Sequence, residues 1–128
     1  MNVNLDIVPI ENTLYDALTE QGVCENIFTG ERPTAYDNMS EFIVVQVNAN
    51  VRDRTAIGDT ITGITIYVKD IANIRNSPRI SEIYQSCVSV LPLNSGKYSY
   101  SFFNVTPTVK DGNNFFKLII NLRTLIKG

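Results

Sequence analysis

The segment of residues 77–91 carries an apolar pattern that fits only one regular structure. Its apolar residues recur at intervals of three and four, which places them in one continuous stripe along a helix. They are Ile80, Ile83, Tyr84, Cys87, Val88 and Leu91. Ser77 can cap this helix, Pro78 can occupy its first position, and Pro92 stops it. A helix with one apolar face must bury that face, so the rest of the chain must supply a surface for it.

Four segments can supply that surface, because they are rich in β-branched and aromatic residues or alternate apolar with polar ones. They are residues 41–48, 60–69, 97–105 and 115–124. The first is apolar on both sides where it begins, which predicts a central strand. A charged loop, residues 49–59, joins the first two segments. Asp111 and Gly112 predict a hairpin turn between the last two.

A second helix is predicted for residues 9–20, where Ile10, Leu14 and Leu18 lie on one face and Gly22 suits the end. A short apolar piece, residues 26–28, follows it. The polar segment 29–40 then contains Gly30 and Pro33, and it is long for a loop inside a compact domain. Such a loop usually makes a contact or is mobile.

These patterns predict an α+β fold in a single domain, residues 1–128. The predicted architecture is one antiparallel β-sheet of about four strands, with two α-helices packed on one face, in the order α-β-β-α-β-β. A chain of 128 residues has the usual length of one domain and needs no disulfide or metal to hold a core.

The chain has no histidine, so the commonest general base and the commonest metal ligand are both missing. Serine and cysteine triads that depend on histidine are excluded. We predict that the protein is not an enzyme and that it has no catalytic residues, no cofactor and no metal. The net charge of −2 does not indicate a polyanionic partner.

Two binding patterns have plainer interpretations. Asp111, Asn113 and Asn114 offer oxygen ligands for calcium, but their spacing is not that of an EF-hand, and a turn explains them better. An aromatic run near residue 100 could stack nucleic-acid bases, but cross-strand packing explains it better. The run consists of Tyr98, Tyr100, Phe102 and Phe103.

Cys24 and Cys87 are too few for a disulfide framework, and their spacing matches no metal motif, so we predict free thiols. No apolar run approaches the roughly 20 residues of a membrane span. The first residues lack the basic and apolar regions of a signal peptide. We therefore expect a soluble protein made in a cytoplasm, without a membrane partner.

The chain as a whole resembles the tail-completion and tail-terminator proteins of long-tailed bacteriophages, which act in the head-tail joining region. Three runs carry the resemblance, together with the amphipathic helix and the terminal hairpin. The runs are Leu14-Tyr15-Asp16-Ala17-Leu18 leading to Asn26-Ile27-Phe28, Arg32-Pro33 before Glu41-Phe42-Ile43-Val44-Val45, and Ile64-Thr65-Ile66-Tyr67-Val68-Lys69.

The resemblance implies a structural virion protein, made in the host cytoplasm and located at the head-proximal end of the tail. There it would form a homohexameric ring that terminates the tail tube and provides the docking surface for the head connector or stopper. Its implied partners are therefore other copies of itself, the tail tube protein and the connector. Charged loops facing the channel of such a ring would make non-specific contacts with DNA.

A closed ring needs two different patches on each subunit. We predict that they lie on the two polar loops, because complementary charges set the register of an interface. The predicted interface residues are Glu31, Arg32, Tyr36, Asp37, Arg52, Asp53, Arg54 and Asp59.

Two other readings stay open. The first is a neighbouring virion component, a head-tail adaptor or stopper. The second is a small non-viral α+β binding module that recognises a peptide or a nucleic acid.

Overall fold

A computed structural model describes residues 6–36, 38–48, 52–54, 57–111 and 114–127 of the chain. It has two helices, α1 (Ile7–Gln21) and α2 (Ser77–Val88). The strands are β1 (Ile27–Thr29), β2 (Glu41–Val47), β3 (Arg52–Arg54), β4 (Ile57–Lys69), β5 (Leu93–Ser95), β6 (Tyr98–Asp111) and β7 (Phe115–Lys127). None of the described helices is long and apolar enough to cross a membrane.

The strands form one sheet in the order β1-β2-β4-β7-β6-β5, and β3 pairs with β4 beside this path. Strands β1 and β2 are parallel, while the other pairs are antiparallel. The sheet curls into a half-barrel. The predicted four-stranded antiparallel sheet with the order α-β-β-α-β-β is therefore wrong. Strands β1, β3 and β5 have three residues each, which is too short for a period-two pattern to show in the sequence.

Both helices begin at a cap that the sequence pattern did not single out. Asp6 caps α1, and its side chain accepts a hydrogen bond from the N–H of Val8 at 3.1 Å. Asn76, not Ser77, caps α2 and accepts from the N–H of Arg79 at 3.4 Å. Helix α1 ends as predicted at Gly22, which has a φ of 71° and donates its N–H to the Leu18 and Thr19 carbonyls. Helix α2 ends three residues before the predicted Leu91.

The main core lies between the two helices and one face of the sheet. Helix α1 contributes Ile10, Leu14 and Leu18, while α2 contributes Ile80, Ile83 and Cys87. Hydrogen bonds of buried hydroxyl groups link separate elements on the same sheet face. The Thr62 and Thr124 hydroxyls lie 2.7 Å apart across β4 and β7. The Tyr100 hydroxyl donates to the carbonyl of Ile10 at 2.6 Å, which ties β6 to the first turn of α1.

A second, smaller core lies on the opposite face of the sheet. We call it the aromatic cluster, and it consists of Phe28, Tyr36, Phe42, Tyr67 and Phe115, packed with Val44 and Met39. The Phe42 and Tyr67 rings stack at 4.4 Å, and the Tyr36 ring lies 5.5 Å from that of Phe115. Part of the polar segment 29–40 covers this face, because Tyr36 and Met39 in that segment are the residues that close the cluster.

Candidate interaction surfaces

The first predicted loop is attached to the sheet through Arg32. Nη1 of Arg32 donates to Oδ2 of Asp111 at 2.6 Å. The same guanidinium lies 4.8 Å from the centre of the Tyr36 ring and 5.9 Å from that of Tyr67, both within the range of a cation–π contact. Arg32 thus holds residues 29–36 against the end of the β6–β7 hairpin.

The other predicted residues of this loop differ in their exposure. Glu31 is exposed. Tyr36 is half-buried and packs its ring 5.6 Å from that of Phe42, so much of its surface serves the fold itself. Asp37 lies outside the described residues. The proposed contact role of these residues stays a prediction.

The second predicted loop contains a strand. Arg52, Asp53 and Arg54 form β3, which pairs with the beginning of β4, where Arg52 is opposite Asp59. Asp59 is half-buried, and the side chains of residues 52–54 lie outside the described part of the chain. Asp59 and Tyr67 are eight residues apart on β4, which is roughly 26 Å at ~3.3 Å per residue. The structure thus does not bring the two predicted loops together.

The outer edge of β6 is a surface that the sequence pattern did not reveal. Strand β5 pairs only with residues 98–100 of β6, and no described strand pairs with the outer side of residues 101–111. Large apolar side chains are exposed along this stretch, with Phe102 45%, Phe103 48% and Val109 47% accessible. The sequence contains one sign of this surface, the adjacent pair Phe102-Phe103, which interrupts the alternation of apolar and polar residues in β6. The pairing of β6 with β7 shifts register at this pair.

An open groove runs between this edge and α2. It has a volume of about 270 Å³ and is lined mainly by apolar and hydroxyl side chains. Ile80 and Tyr84 form its α2 wall, while Val105 and Leu118 form its sheet wall. The apolar stripe of α2 is therefore covered incompletely on the side that faces β6.

The opposite edge of the sheet, at β1, carries a second open cleft of about 330 Å³. Tyr15 of α1 and Phe28 of β1 line it, and the exposed Glu31 lies at its margin. Glu25 is also exposed, immediately before β1. This edge thus combines half-buried aromatic rings with acidic side chains.

Burial shifts the pKa of some described side chains in the direction that favours their neutral forms. No group of three or more described histidine, cysteine or acidic residues could hold a metal ion. Burial and the nearby Asp111 carboxylate raise the pKa of Tyr67. Both cysteines are free thiols, and burial raises the pKa of Cys87 to about 12. A thiol with that pKa is protonated at neutral pH and is a poor nucleophile.

The two patterns that suggested ligands have structural roles here. Asp111 pairs with Arg32, and Asn114 is exposed with a φ of 66°, while Asn113 lies outside the described residues. Tyr98 and Tyr100 are 6% and 1% exposed, so neither ring is available to stack on a base. Of the aromatic run, only Phe102 and Phe103 face solvent.

Neither a protein-family model nor a curated protein sequence matches the chain. Its fold is similar to that of a chain in the solved structure of the virion of a native gene transfer agent (GTA) particle. The superposition covers 95% of this chain and 96% of the virion chain, with a TM-score of 0.60 and 12% sequence identity. At 12% identity, the similarity shows a shared fold and nothing more specific.

Proposed function

We propose that this protein is a structural component of a phage-type virion. The observation that carries the proposal is the fold shared with a virion chain over nearly the full length of both proteins. Because each chain covers the other almost completely, the similarity involves the whole fold of both chains and not one part of it. A fold alone does not fix a function, and the exposed apolar edge adds independent support for an assembly role.

Within the virion, we propose the tail-terminator role: a homohexameric ring at the head-proximal end of the tail. Such a ring stops polymerisation of the tail tube and receives the head connector. The role is mechanical, and it requires two binding edges and a rigid scaffold rather than a catalytic centre. The open clefts beside β6 and at β1 support this role, and the aromatic cluster adds a second core on the face of the sheet opposite the helices.

The test is to delete the gene in a particle-producing host and to examine the particles by electron microscopy. A terminator limits tube growth, so we expect tails of uncontrolled length without heads. Tails of normal length that fail to join heads would favour the adaptor or stopper role instead. Normal particles, together with absence of the protein from purified wild-type particles by mass spectrometry, would exclude a virion role.

A further inference from the structure

The turn between β4 and α2 holds two isoleucines out in solvent. Ile71 and Ile74 are 61% and 70% exposed, the two largest values among the exposed large apolar residues that the structure describes. They form an isolated antiparallel bridge, with N···O distances of 2.8 and 2.9 Å in the two directions. The side chains of directly paired residues lie on the same side of the backbone. We call these two side chains the isoleucine knob.

The backbone of the isoleucine knob has an unfavourable conformation. Ala72 and Asn73, which lie between the bridged isoleucines, have φ values of 51° and 66°. Two successive residues of positive φ form the tight turns that join paired strands, but the side chain of an alanine disfavours this region. An unfavourable turn that presents two exposed apolar side chains indicates a surface that contacts a partner.

The groove between α2 and β6 has the size and the chemistry to receive the isoleucine knob. Its volume is about 270 Å³, and its apolar walls are formed by Ile80, Tyr84, Val105 and Leu118. An apolar cavity of roughly 150 Å³ admits benzene, which has six carbon atoms. Two isoleucine side chains have eight carbon atoms between them, so both fit into the groove.

The isoleucine knob does not fill the groove of its own chain, since both isoleucines are exposed. Arg75 and Ser77, which closely follow the knob in the sequence, line the groove, so the two features lie side by side. A second copy turned about a two-fold axis between them brings each knob to the groove of the other copy. Such an isologous contact is self-complementary and buries both knobs at once.

The charges beside the isoleucine knob favour a second copy as the occupant of the groove. Nε of Arg75 donates to the Ser77 hydroxyl at 2.9 Å, and no described carboxylate forms an ion pair with Arg75. Asp70 is half-buried, and its Oδ2 has no hydrogen-bond partner among the described residues. The knob of one copy thus brings an unpaired carboxylate to the guanidinium at the groove of the other, and the two-fold axis repeats this pairing.

We propose that the free protein forms a two-fold dimer in which the isoleucine knob of each copy occupies the groove between α2 and β6 of the other. The inference goes beyond the proposed virion role. A contact of this symmetry closes on itself and pairs two copies, whereas a ring needs two different faces on each subunit.

Sedimentation velocity over a concentration series of the full chain tests the dimer. We expect the wild type to dimerise, and I71S/I74S, which removes the isoleucine knob, to dimerise at least roughly tenfold more weakly. The matched control is I7S/V8S, because it removes two side chains that are 43% and 53% exposed on the first turn of α1. This control should dimerise like the wild type. Thermal unfolding checks that each variant folds.

Blocking the groove provides a second, independent variant. Ser81 lines the groove and is exposed, so S81W fills the groove without changing the core and should also dimerise at least roughly tenfold more weakly. Its control is Q85W, at an exposed position of α2 outside the groove lining. A mixture of S81W with I71S/I74S should form heterodimers more strongly than either variant dimerises alone, because the mixed pair retains one knob and one open groove.

Three results would overturn the proposal. The first is a wild type that stays monomeric at its highest soluble concentration. The second is dimerisation of I71S/I74S or S81W at the strength of the wild type, and the third is a mixture that associates no better than its components. A monomeric wild type whose I71S/I74S variant is missing from purified particles would assign the isoleucine knob to a different virion protein.

These outcomes are separate from the test of the proposed function. A protein that is absent from purified particles but dimerises through the isoleucine knob would lose only the virion role. A protein that is present in particles and monomeric in solution would keep the virion role, and only the dimer would fail.

Discussion

The guanidinium of Arg79 donates two parallel hydrogen bonds to the carboxylate of Glu41. Nε of Arg79 lies 2.8 Å from Oε1, and Nη2 lies 2.6 Å from Oε2. This two-pronged contact joins the first turn of α2 to the first residue of β2. This contact fixes the position of α2 along the sheet, because apolar packing alone is not directional.

We expect the substitution R79K to lower the free energy of unfolding by about 1 kcal/mol, measured by urea denaturation. Lysine keeps the charge but cannot form both hydrogen bonds at once. The estimate is modest because the Arg79 side chain is 36% exposed. E82Q is the matched control, since Glu82 contacts Arg79 at 3.4 Å and is 67% exposed. A stability of R79K equal to that of the wild type would show that only the charge of Arg79 matters here.

The same contact predicts a dependence of stability on pH. The hydrogen bonds from Arg79 hold the pKa of Glu41 below its ordinary value of 4.5. A carboxyl group with a lowered pKa stabilises the folded state above its unfolded-state pKa, and this contribution is lost as the pH falls through the folded-state pKa. We therefore expect the stability difference between wild type and E41Q to be full near neutral pH and to shrink below 4.5. A difference that grows on acidification would contradict the expectation.

Two neighbouring tyrosines on β6 should respond in opposite ways to removal of the hydroxyl group. The Tyr100 hydroxyl donates to the Ile10 carbonyl, so Y100F should lower the free energy of unfolding by about 1 kcal/mol. The Tyr98 hydroxyl is buried without a hydrogen-bond partner among the described residues. Y98F should accordingly be neutral or stabilising, as measured by thermal unfolding of both variants. Equal destabilisation would show that the Tyr98 hydroxyl has an acceptor.

The buried pair Thr62 and Thr124 offers a double-mutant test. T62V or T124V alone leaves one buried hydroxyl without its partner, which should cost about 1–3 kcal/mol. The double variant T62V/T124V removes both hydroxyls and should cost less than the sum of the two single variants. Additive losses in denaturant unfolding would mean that the 2.7 Å contact contributes no coupling energy.

The long elements could be predicted from the sequence because each shows several periods of its pattern. The stripe from Ile80 to Cys87 and the alternation in residues 115–124 both correspond to elements of the structure. Strand β1 could not be predicted, because three residues contain no repeat and its parallel pairing with β2 depends on the path of the whole chain. Tyr36 was assigned to a polar loop because its packing partners are distant in sequence.

The candidate surfaces were harder to predict than the fold. Loop composition drew attention to Arg32 and Arg54, whereas Arg32 is bonded to Asp111 within the same chain. One side of β6 is exposed because β5 pairs only with residues 98–100 of it. This depends on the strand order of the sheet, which the sequence pattern does not reveal.

The attachment of residues 29–36 by Arg32 and Tyr36 has a consequence for the energetics of association. Ordering the backbone of eight residues at the moment of binding would cost roughly 8–16 kcal/mol in conformational entropy. Here that freedom is lost when the chain folds, because the Asp111 contact and the aromatic cluster already hold the segment. A partner that touches Glu31 meets a surface in its final shape, so the cost of ordering this segment is not subtracted from the free energy of binding.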